Sequence, residues 1–317
     1  MRHEELSVGE LNVDSIIGSG APGIPTSGRR VFLDAANGSD GSDGDAKTPK
    51  KTFDSAYGLM TTLKNDQMFI YPGASSLSLA SELTIAKSMC SFIGTHWGIN
   101  EHHRSRFGAS AAFTPMITVE GYGNTFANLY TQHGTAQGDY VGWDIEGHRN
   151  SFHNVHFGGP FFATQADHAS YRGVTIAGTE NYFKGCMFGD SSMARNAANY
   201  NVQLEAGVTA TFEDCVFRMF VDGGDSMFVN FMNSTSVTLA YFRNCTFMVL
   251  SSNMATSIDE AFNFTSGSTA AAILDSRCNF INVTKIASSA SDVYVYLARP
   301  HVTTTIGEGN IAEVLVS

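Results

Sequence analysis

Short apolar pairs separated by one polar residue recur along the middle of the chain. They are Trp143–Ile145, Val174–Ile176, Val202–Leu204, Val229–Phe231 and Phe262–Phe264, and they enclose Asp144, Thr175, Gln203, Asn230 and Asn263. Alternate residues of a strand share a face, so each pair predicts a strand with two apolar side chains inward and one polar side chain outward. Downstream of every pair lies a second block: SFHNVHF (151–157), YFKGCMF (182–188), TFEDCVF (211–217), YFRNCTF (241–247) and LDSRCNF (274–280). A weaker copy, TFANLYT (125–131), precedes them. The closing phenylalanines, Phe157, Phe188, Phe217, Phe247 and Phe280, step by 31, 29, 30 and 33 residues. A fixed period of this length is the mark of a repeat architecture.

Parity inside the second block predicts a bend. Cys215 and Phe217 share a face, whereas Phe212, three residues before Cys215, falls on the opposite face of a regular strand. Both are interior only if the chain turns between them. The residue before the cysteine column is Asn128, Asn154, Gly185, Asp214 and Asn244, all types that tolerate a left-handed backbone. Each coil is therefore expected to run strand, corner, strand, and the whole to be an all-β parallel β-solenoid. The Cys–x–Phe unit recurs as Cys90–Phe92, Cys186–Phe188, Cys215–Phe217, Cys245–Phe247 and Cys278–Phe280, which accounts for all five cysteines. Together with Phe157 these are expected to form a buried core ladder, cysteine being among the most buried residue types even when free.

Ahead of the repeats, Val31–Asp34 predicts a strand, NGSDGSDGD (37–45) a turn region, and residues near 49–64 a helix. Thr48 and Pro49 occupy the N-cap and first-turn positions, and Phe53, Ala56, Tyr57, Met60 and Leu63 give one apolar face. Such a helix closes the open end of a solenoid. The expected organisation is an extended arm (1–30), the solenoid (31–285) and carboxy-terminal strands (286–317). In the arm, Leu6, Val8, Leu11, Val13, Ile16 and Ile17 are apolar positions suited to adding a strand to a neighbour.

The Asp-Gly-Ser-Asp-Gly turn, the capping helix and the Asn-Cys-Thr-Phe coils resemble the right-handed parallel β-helix superfamily with the pectin-lyase-like fold. The resemblance spans roughly residues 31 to 285. It implies the fold and leaves activity open, because this scaffold hosts lyases, hydrolases, epimerases and non-enzymatic virion proteins. The arm with no secretion signal, followed by a solenoid and short strands, resembles bacteriophage virion proteins. That resemblance implies a non-enzymatic capsid decoration (cement) or head-spike protein, a homotrimer anchored by its arm and assembled in the bacterial host cytoplasm. The implied partners are other copies of the chain, a major capsid or other virion protein, and a host surface glycan. The alternative is a tailspike-like carbohydrate-active enzyme (endoglycosidase or polysaccharide lyase) or a non-cleaving glycan- or receptor-binding protein.

Composition narrows the partners. Of 317 residues only 15 % are charged, with 31 glycines, 23 phenylalanines and 7 prolines, a balance that suits turns and strands rather than disorder or helical bundles. A net charge of −11 without a basic run argues against nucleic acid. No apolar stretch reaches the ~18 residues of a membrane span. An odd number of cysteines without C-x2-C spacing predicts reduced thiols and no metal or other cofactor.

The candidate chemistry is sparse. His148, His153, His156 and His168 are expected as surface polar residues, since no thiol or carboxylate completes a zinc set. Residues 37–45 resemble a calcium loop, but the twelfth position from Asp40 is Lys51, where a bidentate acid is required. Glycosidases need two carboxyls either about 5–5.5 Å or about 6.5–9.5 Å apart, and stacked rungs about 4.8 Å apart produce such pairs readily. Asp144, Glu146 and Glu205 are the candidates on that basis, Glu146 and Glu205 being equivalent positions with Ala177 between. Glu213 and Asp214 form a second acidic spot. One coincidence of this kind is expected on so acidic a chain, so no catalytic residue is favoured. Arg172 and Arg243 look isolated, which disfavours β-elimination. The insertions 158–173 and 217–228, with Phe161, Phe162, Tyr171, Phe220 and Met227, are expected to form a lateral interface.

Overall fold

Each apolar pair becomes a strand of one sheet, and each second block bends across a corner into two others. The computed structural model describes residues 28–298 except 74–75, 97, 99–104, 133–139, 224–225, 233–235, 252–256, 266–268 and 288–292, with side chains described to residue 287. Three parallel sheets of eight, ten and nine strands run along a common axis. A representative coil passes from Val141–Ile145 in the eight-stranded sheet to Ser151–His153 in the ten-stranded sheet and His156–Phe157 in the nine-stranded sheet. The chain is an all-β parallel β-solenoid.

Register is strict because one face of every strand is interior. Trp143 pairs with Val174 and Ile145 with Ile176, then Val202 and Leu204 follow on the next coil. Two aromatic columns run through the core. Phe92, Phe126, Phe152, Phe183, Phe212 and Phe242 stack with centroids 4.7 to 5.1 Å apart. Phe157, Phe188, Phe217, Phe247 and Phe280 stack at 4.6 to 4.9 Å. Neighbouring members of the two columns meet edge to face, as Phe212 and Phe217 do at 5.5 Å, the arrangement aromatic quadrupoles favour.

The bend between the columns lies where residue type predicts it. Asn128, Asn154, Gly185, Asp214 and Asn244 all have positive φ, between 51° and 61°. The corner side chains also bond along the axis: Asn154 Nδ2 donates to Asn128 Oδ1 at 2.8 Å, and Asn244 Nδ2 to Asp214 Oδ1 at 2.7 Å.

Three sequence expectations change. Cys90–Phe92 has the spacing of its sister units but belongs to a different column: Phe92 aligns with Phe126, and Cys90 sits one residue before Ser91, level with Asn124. At the other end Cys278 and Phe280 are half-buried, because they lie in the last coil of the nine-stranded sheet. The helix is Phe53–Gly58 with Thr52 as N-cap, one turn later than Thr48. Asp40 explains the shift: its Oδ1 accepts from the amides of Lys51 and Thr52 at 3.1 and 2.9 Å, which holds the turn open until residue 52. Phe53 then stacks on Phe92 at 6.0 Å and closes the core end, while Leu63 has φ 63° and lies exposed.

Candidate functional site

The outer face of the eight-stranded sheet collects the polar residues that the apolar pairs enclose. Thr118, Asp144, Thr175, Gln203, Asn230 and Asn263 form one column in register. Three residues earlier, with two buried positions between, stand Val141, Arg172, Tyr200 and Met227 on the same face. One residue past the strand ends are Glu146 and Glu205, with Ala177 on the coil between them. Side chains two apart on a strand are separated by about 6.6 Å, and those two rungs apart by about 9.6 Å.

Asp144 is the exception in this column. It is half-buried, and among the described residues its buried Oδ1 has no hydrogen-bond partner. Burial, followed by the charges of Glu146, Glu205 and Glu82, pushes its carboxyl up to about 6. Desolvation and like charge both disfavour the anion, so the proton is held far longer than on an ordinary aspartate. Glu82 is tied down separately, accepting from the Thr118 hydroxyl.

The next coils carry a connected polar network. Arg172 Nε donates to Gln203 Oε1 at 2.6 Å, and Gln203 Nε2 donates to Glu205 Oε1 at 2.6 Å. Asn230 Nδ2 donates to Gln203 Oε1 at 3.2 Å, and Asn263 Nδ2 to Asn230 Oδ1 at 2.7 Å and to the Tyr200 hydroxyl at 3.1 Å. The Arg172 guanidinium lies 4.4 Å from the Tyr200 ring centroid and donates from Nη1 to the carbonyls of Ala169 and Tyr171. Beside it, Tyr140 and His168 stack at 3.7 Å. Arg172 is thus integrated in the face rather than isolated. Its partner Gln203 stands one coil away, which only the register reveals.

A third feature lies at the corner that leaves this face. The stretches Gly121-Tyr122-Gly123-Asn124, Gly147-His148-Arg149-Asn150 and Gly178-Thr179-Glu180-Asn181 stack on successive coils. Each glycine packs backbone on backbone: a Cβ on Gly147 meets Gly121 O at 2.0 Å, and one on Gly178 meets Gly147 O at 2.0 Å. The asparagines form a buried ladder, with the amides of Cys90, Asn124 and Asn150 each donating at 2.8 Å to the next Oδ1. This repeated G-x-x-N is a readable signal that the Cys–x–Phe alignment overlooks.

The other predicted positions fall elsewhere. The thiols of Cys186, Cys215, Cys245 and Cys278 donate to the carbonyls of Phe152, Phe183, Phe212 and Phe242 at 3.4 to 3.5 Å, one coil back. Burial lifts Cys90 to about 11 and Cys215 well above the ordinary range. Glu213 accepts from Lys184 Nζ at 2.8 Å and from the Tyr182 hydroxyl at 3.0 Å, which hold it anionic. His156 is buried rather than exposed, Nε2 meeting Gly189 O at 2.9 Å and its ring stacking on Tyr130 at 4.5 Å; burial lowers it. Tyr171, expected at an interface, is fully buried with its hydroxyl on Gly158 O at 3.3 Å, because the 158–173 insertion folds onto the solenoid. Phe161 is exposed, whereas Phe162, Phe220 and Met227 are half-buried. Leu6, Val8, Leu11, Val13, Ile16 and Ile17 lie outside the described residues. Among the described residues no three His, Cys, Asp or Glu side chains converge as a metal site.

No protein-family model matches the chain, and no curated protein matches it in sequence. Solved structures do match in fold. The deglycosylated pectin methylesterase from Aspergillus niger is similar with 14% identity and a TM-score of 0.52, over 92% of this chain and 97% of that one. The pectate lyase Pel9A is similar with 13% identity and a TM-score of 0.50, over 86% and 75%. What the chain shares with both is the pectin-lyase-like parallel β-helix fold.

Proposed function

We propose that this chain is a carbohydrate-active protein that holds a glycan along the outer face of the eight-stranded sheet, with Asp144 as the proton donor. The observation that carries the reading is the state of Asp144: a half-buried carboxyl raised to about 6, with Oδ1 unpartnered, beside Glu146 and a preassembled amide network. A general acid needs a held proton near working pH, and its base partner needs the opposite environment. Asp144 meets the first requirement. Glu205, already accepting from Gln203, and exposed Glu146 meet the second. Gln203, Asn230, Asn263 and Tyr200 offer donors and acceptors to sugar hydroxyls. Three carboxylates around Asp144, those of Glu82, Glu146 and Glu205, favour a neutral glycan over a uronate polymer. The virion placement rests on the sequence resemblance, and the trimer on the insertions 158–173 and 217–228, in which Phe161 is exposed and Tyr171 is folded inward.

The test is reducing-end release from a panel of neutral oligosaccharides and bacterial surface glycans. Asp144→Asn lowers turnover at least ~100-fold while binding persists. Glu146→Gln/Glu205→Gln lowers it as well. A parent protein that neither binds nor cleaves any glycan in the panel sinks the reading.

A further inference from the structure

The G-x-x-N corner displays its second residue outward at one-coil intervals: Tyr122, His148 and Thr179. The display is rigid. Gly121, Gly147 and Gly178 allow no side chain, and the asparagine ladder satisfies the backbone beneath, with Asn150 Nδ2 donating to Gly121 O and Asn181 Nδ2 to Gly147 O at 3.0 Å each. The third residue is left-handed on these three coils and on the one before them: Gly123 at φ 65° and the non-glycines Met89, Arg149 and Glu180 at φ 55°, 57° and 61°. Left-handed backbone at such residues is unfavourable and concentrates at functional sites. Arg149 and Glu180 pair with each other across coils at the exposed edge of the corner.

Tyr122, His148, Arg149 and Thr179 line an open cleft of about 410 Å³. Tyr122 is 49% exposed although it stands on fixed backbone, and its own amide and carbonyl are already used by Ser88 Oγ and the Met89 amide. An exposed aromatic ring on a rigid support, with apolar lining and few polar groups at its edge, is the kind of surface that takes a ligand ring face. The cleft starts two residues after Glu120 and Glu146 and spans the coils of Thr118, Asp144 and Thr175, so a chain lying across the sheet face reaches it directly.

We infer that this corner is a second glycan subsite, in which one pyranose ring stacks its C–H face on Tyr122 with His148 and Thr179 at its rim. The inference rests on the glycan reading of the adjoining face and adds to it the direction in which the glycan leaves: around the corner toward the ten-stranded sheet.

The experiment is calorimetric titration of the full chain in the Asp144→Asn background, so that ligand is not consumed, using neutral oligosaccharides of one to six units. Tyr122→Ala weakens binding of the longer oligosaccharides about tenfold and leaves mono- and disaccharide binding unchanged, and Tyr122→Phe restores the longer ligands. Because the Tyr122 side chain has no hydrogen bond within the corner, unchanged circular dichroism and melting of Tyr122→Ala verify the fold. Equal affinities of Asp144→Asn and Asp144→Asn/Tyr122→Ala for every ligand overturn the subsite and leave the sheet-face reading standing. No binding by either overturns both.

Discussion

Arg172 donates through Nε to Gln203 Oε1 at 2.6 Å across neighbouring coils, and that bond decides which way the Gln203 amide faces. With the oxygen held by Arg172 and Asn230, the Nε2 end points at Glu205. The guanidinium lies half-buried over Tyr200, and its planar, always charged fork suits this task better than an ammonium.

Arg172→Lys is therefore not conservative. It keeps the charge but loses the fixed Nε–H, so Gln203 can rotate and Glu205 loses its donor. We expect a stability loss of about 1–3 kcal/mol in urea unfolding, since a polar group is left without its charged partner. On any neutral glycan that proves to be a substrate, kcat/KM falls roughly 10–100-fold, as misplacement of a supporting group does. Parent-like unfolding together with parent-like kinetics would show that the amide is oriented by something else.

The pH dependence of Asp144 has a definite sign. Its folded-state carboxyl is raised from 3.8 to about 6, so folding is favoured by the proton, and the stabilisation, complete below about pH 4, is lost as pH rises through 6. Asp144→Asn removes that loss. The variant is expected to unfold at higher denaturant than the parent at pH 8, by on the order of 1–2 kcal/mol after discounting for solvent screening, and to match it at pH 4. A variant less stable than the parent at pH 8 would contradict the buried, unpartnered state of this carboxyl.

The corner turns were legible because residue type reports backbone conformation directly: Asn154, Gly185 and Asp214 share little else. Arg172 looked isolated because its partner lies on the next coil, and alignment by Cys–x–Phe says nothing about that sheet. The same alignment misplaced Cys90, where equal spacing hides that this residue stands in the asparagine column, level with Asn124, and not in the cysteine column. Tyr171 was missed for another reason. Aromatic content cannot show whether an insertion folds back, whereas the structure seats its ring 5.1 Å from the buried Arg195 guanidinium. The helix start depended on Asp40, twelve residues before Thr52, a tertiary contact no local cap rule contains.

Gly185→Ala isolates the backbone cost of the corner. A Cβ at this position meets nothing within 4 Å, so only φ of 61° opposes it. The expected loss is about 1–2 kcal/mol, with Gly185→Asn costing less, as its sister coils show. Gly147→Ala differs in kind, because its Cβ falls 2.0 Å from Gly121 O, and that variant is expected to be insoluble or grossly destabilised. Similar melting temperatures for the two alanine variants would count against backbone packing at the G-x-x-N corner.

The thiol ladder predicts an order of chemical reactivity. Thiolate, not thiol, attacks a disulfide reagent, and burial lifts Cys90 to about 11 and Cys215 well above its ordinary value. The Cys278 thiol is also held protonated, first by its hydrogen bond with Cys245, so ionisation does not single it out and access decides the order: Cys186, Cys215 and Cys245 are shielded by the coils on either side, whereas Cys278 sits half-buried in the last coil of its sheet. With an aromatic disulfide reagent at pH 8, Cys278 is expected to react first, and the other four only at the rate of unfolding. Cys278→Ser then abolishes the early phase without altering the slow one. An early phase that survives in Cys278→Ser would mean that the solenoid opens at some other coil in its native state, and peptide mapping of the labelled thiol would identify which.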